Sequence, residues 1–128
     1  MLHITPIYAG LLALIFVALS LRVIGGRLAA GVGLGDGGDA DLFRRIRVQG
    51  NFAEYAPMGL LMLAIAELQG AGPAWLNGFG TMLVAGRLAH AIGLGASPQI
   101  APLRGGGMML TFIAIAGLGL LCLARALG

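Results

Sequence analysis

The chain alternates between long apolar runs and short breaks. Apolar residues dominate from about Ile4 to Val23, Leu42 to Leu68, Ala74 to Leu94 and Leu103 to Leu127. Each run is near or above the roughly 20 residues that a helix needs to cross a bilayer core. A helix satisfies its own backbone hydrogen bonds, so it is the expected form in lipid. The pattern therefore predicts an all-α bundle of four transmembrane helices in a single domain spanning residues 1–128.

The breaks differ in length and chemistry. Gly25 to Asp41 is long and glycine-rich, with the aspartates at its end; QGAGP (Gln69 to Pro73) is short; GASPQIAP runs from Gly95 to Pro102. Glycine and proline mark each as a helix boundary. Asp39 or Asp41 suits the N-cap of the second helix. Gly33, Gly35 and Gly38 fit a G-x-G-x-x-G spacing, but that pattern means a dinucleotide site only after a strand in a βαβ unit. Here it follows an apolar helix, so it reads as a loop.

Composition sharpens the class. Of the 128 residues 59% are hydrophobic and only 10% are charged, whereas soluble domains carry about 25% charge. So few charges could not cover a soluble globule, and the chain reads as an integral membrane protein. The eight basic residues are all arginine and lie scattered among apolar segments, which excludes a nucleic-acid surface. Cys122 is the only cysteine, so neither an internal disulfide nor a cysteine metal site can form. The first apolar run has no basic stretch before it, so it is expected to remain as a membrane helix. Arg22, Arg27, Arg44, Arg45 and Arg47 flank the first break and Arg104 the third. By the positive-inside rule these two breaks face the cytoplasm, and both termini lie outside it.

The stretch RVQGNFAEYAP, Arg47 to Pro57, is polar at the mouth of the second helix. At about 100° per residue, Arg44, Arg47, Asn51 and Glu54 share an arc of about 80°, with Tyr55 at its edge. Such a stripe must look into the bundle, a subunit interface or water. It is either a salt-bridge seam, with Arg44 or Arg47 against Glu54, or a pocket for a charged ligand. Arg87 and His90 stand at i and i+3 on the third segment and share a face. Either Arg87 snorkels to the surface with His90 bonded in the bundle, or both join the pocket. Arg104, beside Gly105, Gly106 and Gly107, is either interfacial or part of the same site. The arginines outnumber Glu54, which suits a carboxylate-bearing ligand held through paired N–H bonds. An arginine also stabilises a thiolate.

The stretch resembles the second-helix motif of the MAPEG proteins, the membrane-associated proteins of eicosanoid and glutathione metabolism. That motif reads approximately R-x-x-x-N-x-x-E-x-x-P, and Arg47, Asn51, Glu54 and Pro57 match it. Tyr55 and Gln49 are similar to the leukotriene-C-synthase branch, and the loop looks most like bacterial members, which implies an inner-membrane location. The resemblance implies a homotrimer of four-helix subunits with glutathione bound between neighbours near the cytosolic side. It implies that Arg47, Gln49, Asn51, Glu54 and Tyr55 hold the peptide, with Glu54 on its amino group. Arg87 and His90 correspond to binding positions of the third helix, and Arg27, or alternatively Arg22, to the arginine ending the first. Arg104 resembles the catalytic arginine that stabilises the glutathione thiolate. The implied activity is a glutathione transferase or peroxidase acting on lipophilic electrophiles, with membrane lipids as surroundings. Leu94 stands where many catalytic members have tyrosine, and Gly50 where prostaglandin-synthase-like members have arginine. These departures leave open a non-catalytic protein whose stripe holds a lipid headgroup, an acidic metabolite or a partner. A transporter fits less well, because the polar residues gather toward one end.

Overall fold

The computed structural model describes all 128 residues as four helices: α1 (Thr5–Ala30), α2 (Ala40–Leu68), α3 (Pro73–Gly95) and α4 (Ala101–Leu127). They form one all-α bundle. α2 lies against each of the other three, and α3 and α4 make the closest pair. The arrangement gathers the C-termini of α1 and α3 and the N-termini of α2 and α4 at one end.

Local chemistry sets the helix ends. Asp39 is the N-cap of α2, and its carboxylate accepts from the Leu42 N–H at 2.8 Å. α1 continues past the expected end at Val23, so Gly25, Gly26 and Arg27 are helical rather than part of the loop. Tertiary packing outweighs the cost of about 1 kcal/mol per helical glycine. A Cβ on Gly26 would sit 3.0 Å from Arg45 Cδ and 3.2 Å from Leu42 Cδ1, so the missing side chain lets α2 close in. α1 stops at Gly31, whose φ of 67° is the left-handed conformation that glycine adopts without a Cβ penalty. α3 and α4 begin with prolines in their first turn, where no backbone N–H is needed.

Two apolar clusters fill the bundle. Leu12, Leu19, Val48, Phe52, Leu83 and Ala114 belong to the one toward the arginine-rich end. Tyr8, Leu63, Leu76, Leu118 and Cys122 belong to the other. Only 26 of the 128 residues are buried, and large apolar side chains such as Leu14, Leu21, Leu28, Phe112, Leu120 and Leu123 face outward. A water-soluble surface does not present apolar patches of that extent. α1 and α4 are long and apolar enough to cross a membrane.

α3 and α4 come together on small residues. A Cβ on Gly86 would meet the Gly107 carbonyl oxygen at 2.9 Å, and one on Gly107 would collide with the backbone of His90. Close backbone approach of this kind is how helices associate in a lipid setting, where apolar burial gives no advantage. It also brings the first turns of α4, with Arg104, directly against the last turns of α3.

Candidate functional site

At the arginine-rich end, an open cavity of about 450 Å³ lies between α2, α3 and the connection into α4. Its wall contains Arg44, Arg47 and Asn51 from α2, His90 and Leu94 from α3, then Gln99 and Arg104. Three guanidinium groups thus line it, and no carboxylate does. The spacing of α2 explains its contribution: residues 44, 47 and 51 recur at i, i+3 and i+7, so one face presents all three.

Arg87, only 1% exposed, does not line the cavity but bonds to the lining residue Asn51. Its Nη1 donates to Asn51 Oδ1 at 2.7 Å, and its Nε to Thr111 Oγ1 at 2.9 Å. Its Nη2 reaches Met108 Sδ at 3.0 Å. Thr111 passes the chain of bonds on to the Gly107 carbonyl at 2.8 Å. The guanidinium carbon also lies 5.4 Å from the centre of the Tyr55 ring, a cation–π distance. Tyr55 in turn meets Phe112 edge-on at 5.6 Å. Arg87 therefore does not snorkel to the surface. Its partners on α2 and α4 hold it inside, and none is an acid.

His90 is also buried, at 4% exposure, yet its ring makes no hydrogen bond within the chain. His90 is among the residues that line the cavity. Glu54 lies on the flank of the stripe, where it accepts from Arg47 Nη2 at 3.3 Å. Both side chains are about half exposed, so this is a solvent-screened pair rather than a buried seam.

Two of the sequence candidates point elsewhere. Gln49 lies on the α1 side of α2, where its amide nitrogen approaches Ser20 Oγ at 3.5 Å. Arg27 donates to the Gly35 carbonyl at 2.7 Å and braces its own loop. Within one chain, then, Arg47, Asn51, His90 and Arg104 share the cavity; Arg87 bonds to Asn51 and stacks on Tyr55, and Glu54 pairs with Arg47, all three outside the lining. Gln49 and Arg27 are not brought to it. Arg44 and Gln99 complete its wall. Arg44 is one turn before Arg47 and lies on the same stripe. Gln99 sits in a loop, where no periodicity could have singled it out.

A second, apolar groove of about 260 Å³ runs between α1 and α2, lined mainly by Leu12, Phe16, Phe52, Pro57 and Leu60. It has no polar group able to carry chemistry.

An arginine-lined cavity between the helices of an apolar four-helix bundle, beside the R-x-x-x-N-x-x-E-x-x-P stripe, places the chain among membrane proteins with a polar site at one end of the bundle. The chain belongs to the MAPEG family, which matches it over residues 5–124. It is similar to Inner membrane protein YecN of Escherichia coli strain K12, and equally to that of strain O6:H1 (CFT073). Each is 33% identical over 112 residues, covering 88% of this chain and 84% of the relative. No solved structure matches it.

Proposed function

We propose that the cavity binds glutathione and that the protein is a glutathione transferase or peroxidase acting on lipophilic electrophiles. The observation that carries this reading is the wall itself: Arg44, Arg47 and Arg104 line it with no carboxylate among the lining residues, and the Asp41 and Glu54 partners of Arg44 and Arg47 lie outside it. A volume of about 450 Å³ falls in the range of about 300–1,000 Å³ typical of small-molecule sites. Glutathione brings two carboxylates, one ammonium and one thiol. Arg44 and Arg47 take the carboxylates through paired N–H bonds. Glu54, on the flank beside Arg47, takes the ammonium. Arg104 faces the sulfur.

Loss of the thiol proton to water leaves a thiolate, whose charge the Arg104 guanidinium stabilises. The sulfur then bonds to an electrophilic carbon as the leaving group departs. With a hydroperoxide it takes the terminal oxygen, releasing the alcohol, and a second glutathione then gives disulfide and water. The lipophilic partner arrives from the bilayer. The family relationship supports four membrane-spanning helices and a trimer; within one chain Gln49 and Arg27 are engaged by Ser20 and the Gly35 carbonyl. The printed name of the relatives supports an inner-membrane location, and the distribution of arginines supports an arginine-rich end in the cytoplasm with both termini outside.

Arg104→Ala is expected to lower the rate of conjugation by about a hundredfold, the usual loss for one preorganised charge-stabilising group, with the helical fold retained. An unchanged rate contradicts the mechanism. Leu94 favours a second reading. It lines the cavity with an aliphatic side chain and offers no hydroxyl to the sulfur. A non-catalytic glutathione holder would then bind saturably and turn over no electrophile.

A further inference from the structure

The connection between α3 and α4 places one more side chain on Arg104. Arg104 Nη1 donates to Gln99 Oε1 at 2.7 Å, and both residues line the cavity. No carboxylate lies within ion-pair distance of Arg104; the ion pairs of the chain are Arg44–Asp41, Arg45–Asp41 and Arg47–Glu54. The backbone is held on both sides of this contact. The Ile100 N–H donates to the Gly93 carbonyl at 2.9 Å, and the Arg104 N–H to the Ile100 carbonyl at 3.0 Å. A Cβ on Gly93 would lie 2.8 Å from the Leu103 carbonyl carbon and 2.9 Å from Arg104 Cα, so α3 and the first turn of α4 are in direct contact there.

We propose that Gln99 is the positioning residue for Arg104: its neutral amide carbonyl holds the guanidinium at the cavity wall and leaves its charge for the ligand's sulfur. The inference rests on the reading of the cavity as a glutathione site. An exposed arginine on its own samples many rotamers and loses that freedom when it is fixed. A bond to a side chain on a tethered loop removes part of that freedom before ligand arrives, which is preorganisation in the ordinary sense. The neutrality of the partner matters as much as its reach. A carboxylate at the same distance would pair with the guanidinium and weaken its hold on a thiolate. An amide accepts the same bond without a charge. The charged and titratable groups around Arg104 are Arg44 and Arg47 on α2, with Glu54 paired to Arg47, and His90 with the deeper Arg87 on α3.

The test is the ultraviolet absorbance of the bound glutathione thiolate, followed against pH at saturating glutathione. It compares the intact protein in detergent with Gln99→Glu and Gln99→Met. The unaltered protein is expected to ionise the thiol below its free value of about 8.5. Gln99→Glu, which has the same size, is expected to raise the midpoint by about one unit, because it sets a negative charge beside Arg104. Gln99→Met is expected to raise it by less, by releasing the guanidinium without neutralising it. Gln99 is exposed in the loop, so all three should share one thermal unfolding midpoint. One common ionisation midpoint in the three proteins overturns the positioning role and leaves the glutathione reading intact. Failure of the unaltered protein to bind glutathione removes that reading and this proposal together.

Discussion

Arg87 ties α3 to α2 and α4 through Asn51 and Thr111, next to the cavity. Its three nitrogens are satisfied by Thr111, Asn51 and Met108, and its guanidinium carbon lies over the Tyr55 ring. Arg87→Met keeps much of the length but leaves Thr111 and Asn51 without their donor. The expected loss is about 2–4 kcal/mol, from broken charge-assisted bonds and newly unpaired polar groups, read as a lower unfolding midpoint in detergent. Arg87→Met as stable as the parent would show that the network contributes nothing. The sequence marked Asn51 as part of a polar stripe and left Arg87 between the surface and the pocket. It did not show that they meet, because they lie 36 residues apart, and Thr111 and Met108 come from α4, 24 and 21 residues beyond Arg87. Such partners are visible only once the helices pack. Arg104 was legible for the opposite reason: it follows a helix-starting proline and precedes three glycines, all within the local sequence.

At the scale of elements, side chains from one helix close the open end of another. Glu67, in the last turn of α2, accepts from the backbone N–H groups of His3, Ile4 and Thr5 at 2.6–2.7 Å. Those groups belong to the start of α1, where no side chain of α1 itself caps the helix. Arg125 does the converse, donating to the Gln69 and Gly70 carbonyls beyond the end of α2. Glu67→Ala is expected to destabilise by on the order of 1 kcal/mol, the usual worth of a helix cap, and to speed hydrogen exchange at residues 3–5 before anywhere else. Uniform exchange across α1 in that variant would argue against a local cap. The contact between α3 and α4 is less forgiving. Gly107→Val drives a branched side chain into the backbone of His90. Overpacking of that kind costs about 1–3 kcal/mol, and it should also displace Arg104 and weaken ligand binding at the cavity. Binding equal to that of the parent would mean that the close approach does not position the site. The four elements were legible because hydrophobic runs and glycine–proline breaks alternate so plainly. The end of α1 was not, because a helix through Gly25 and Gly26 depends on Leu42 and Arg45 of the next helix packing over them.

For the whole molecule, charge is concentrated at one end of an otherwise apolar bundle. Arg22, Arg27, Arg44, Arg45, Arg47 and Arg104 gather where α1 and α3 end and α2 and α4 begin, and Arg125 lies at the other end. By the positive-inside rule such asymmetry predicts that the arginine-rich end faces the cytoplasm. With Cys122 replaced by alanine, a reporter cysteine at Ser97 is expected to react with an impermeant thiol reagent only after the cells are opened. One at Gly72 is expected to react in intact spheroplasts. The reverse labelling pattern would invert the topology. The central claim is that the arginine-lined cavity takes glutathione. Its most direct test is calorimetric titration of glutathione into the purified protein in detergent, beside Glu54→Ala and Arg104→Ala. Saturable binding to the parent is expected, weakened about tenfold or more in Glu54→Ala by loss of a charge-assisted bond to the ammonium. No saturable heat with the folded parent, or equal affinity in all three proteins, would contradict it.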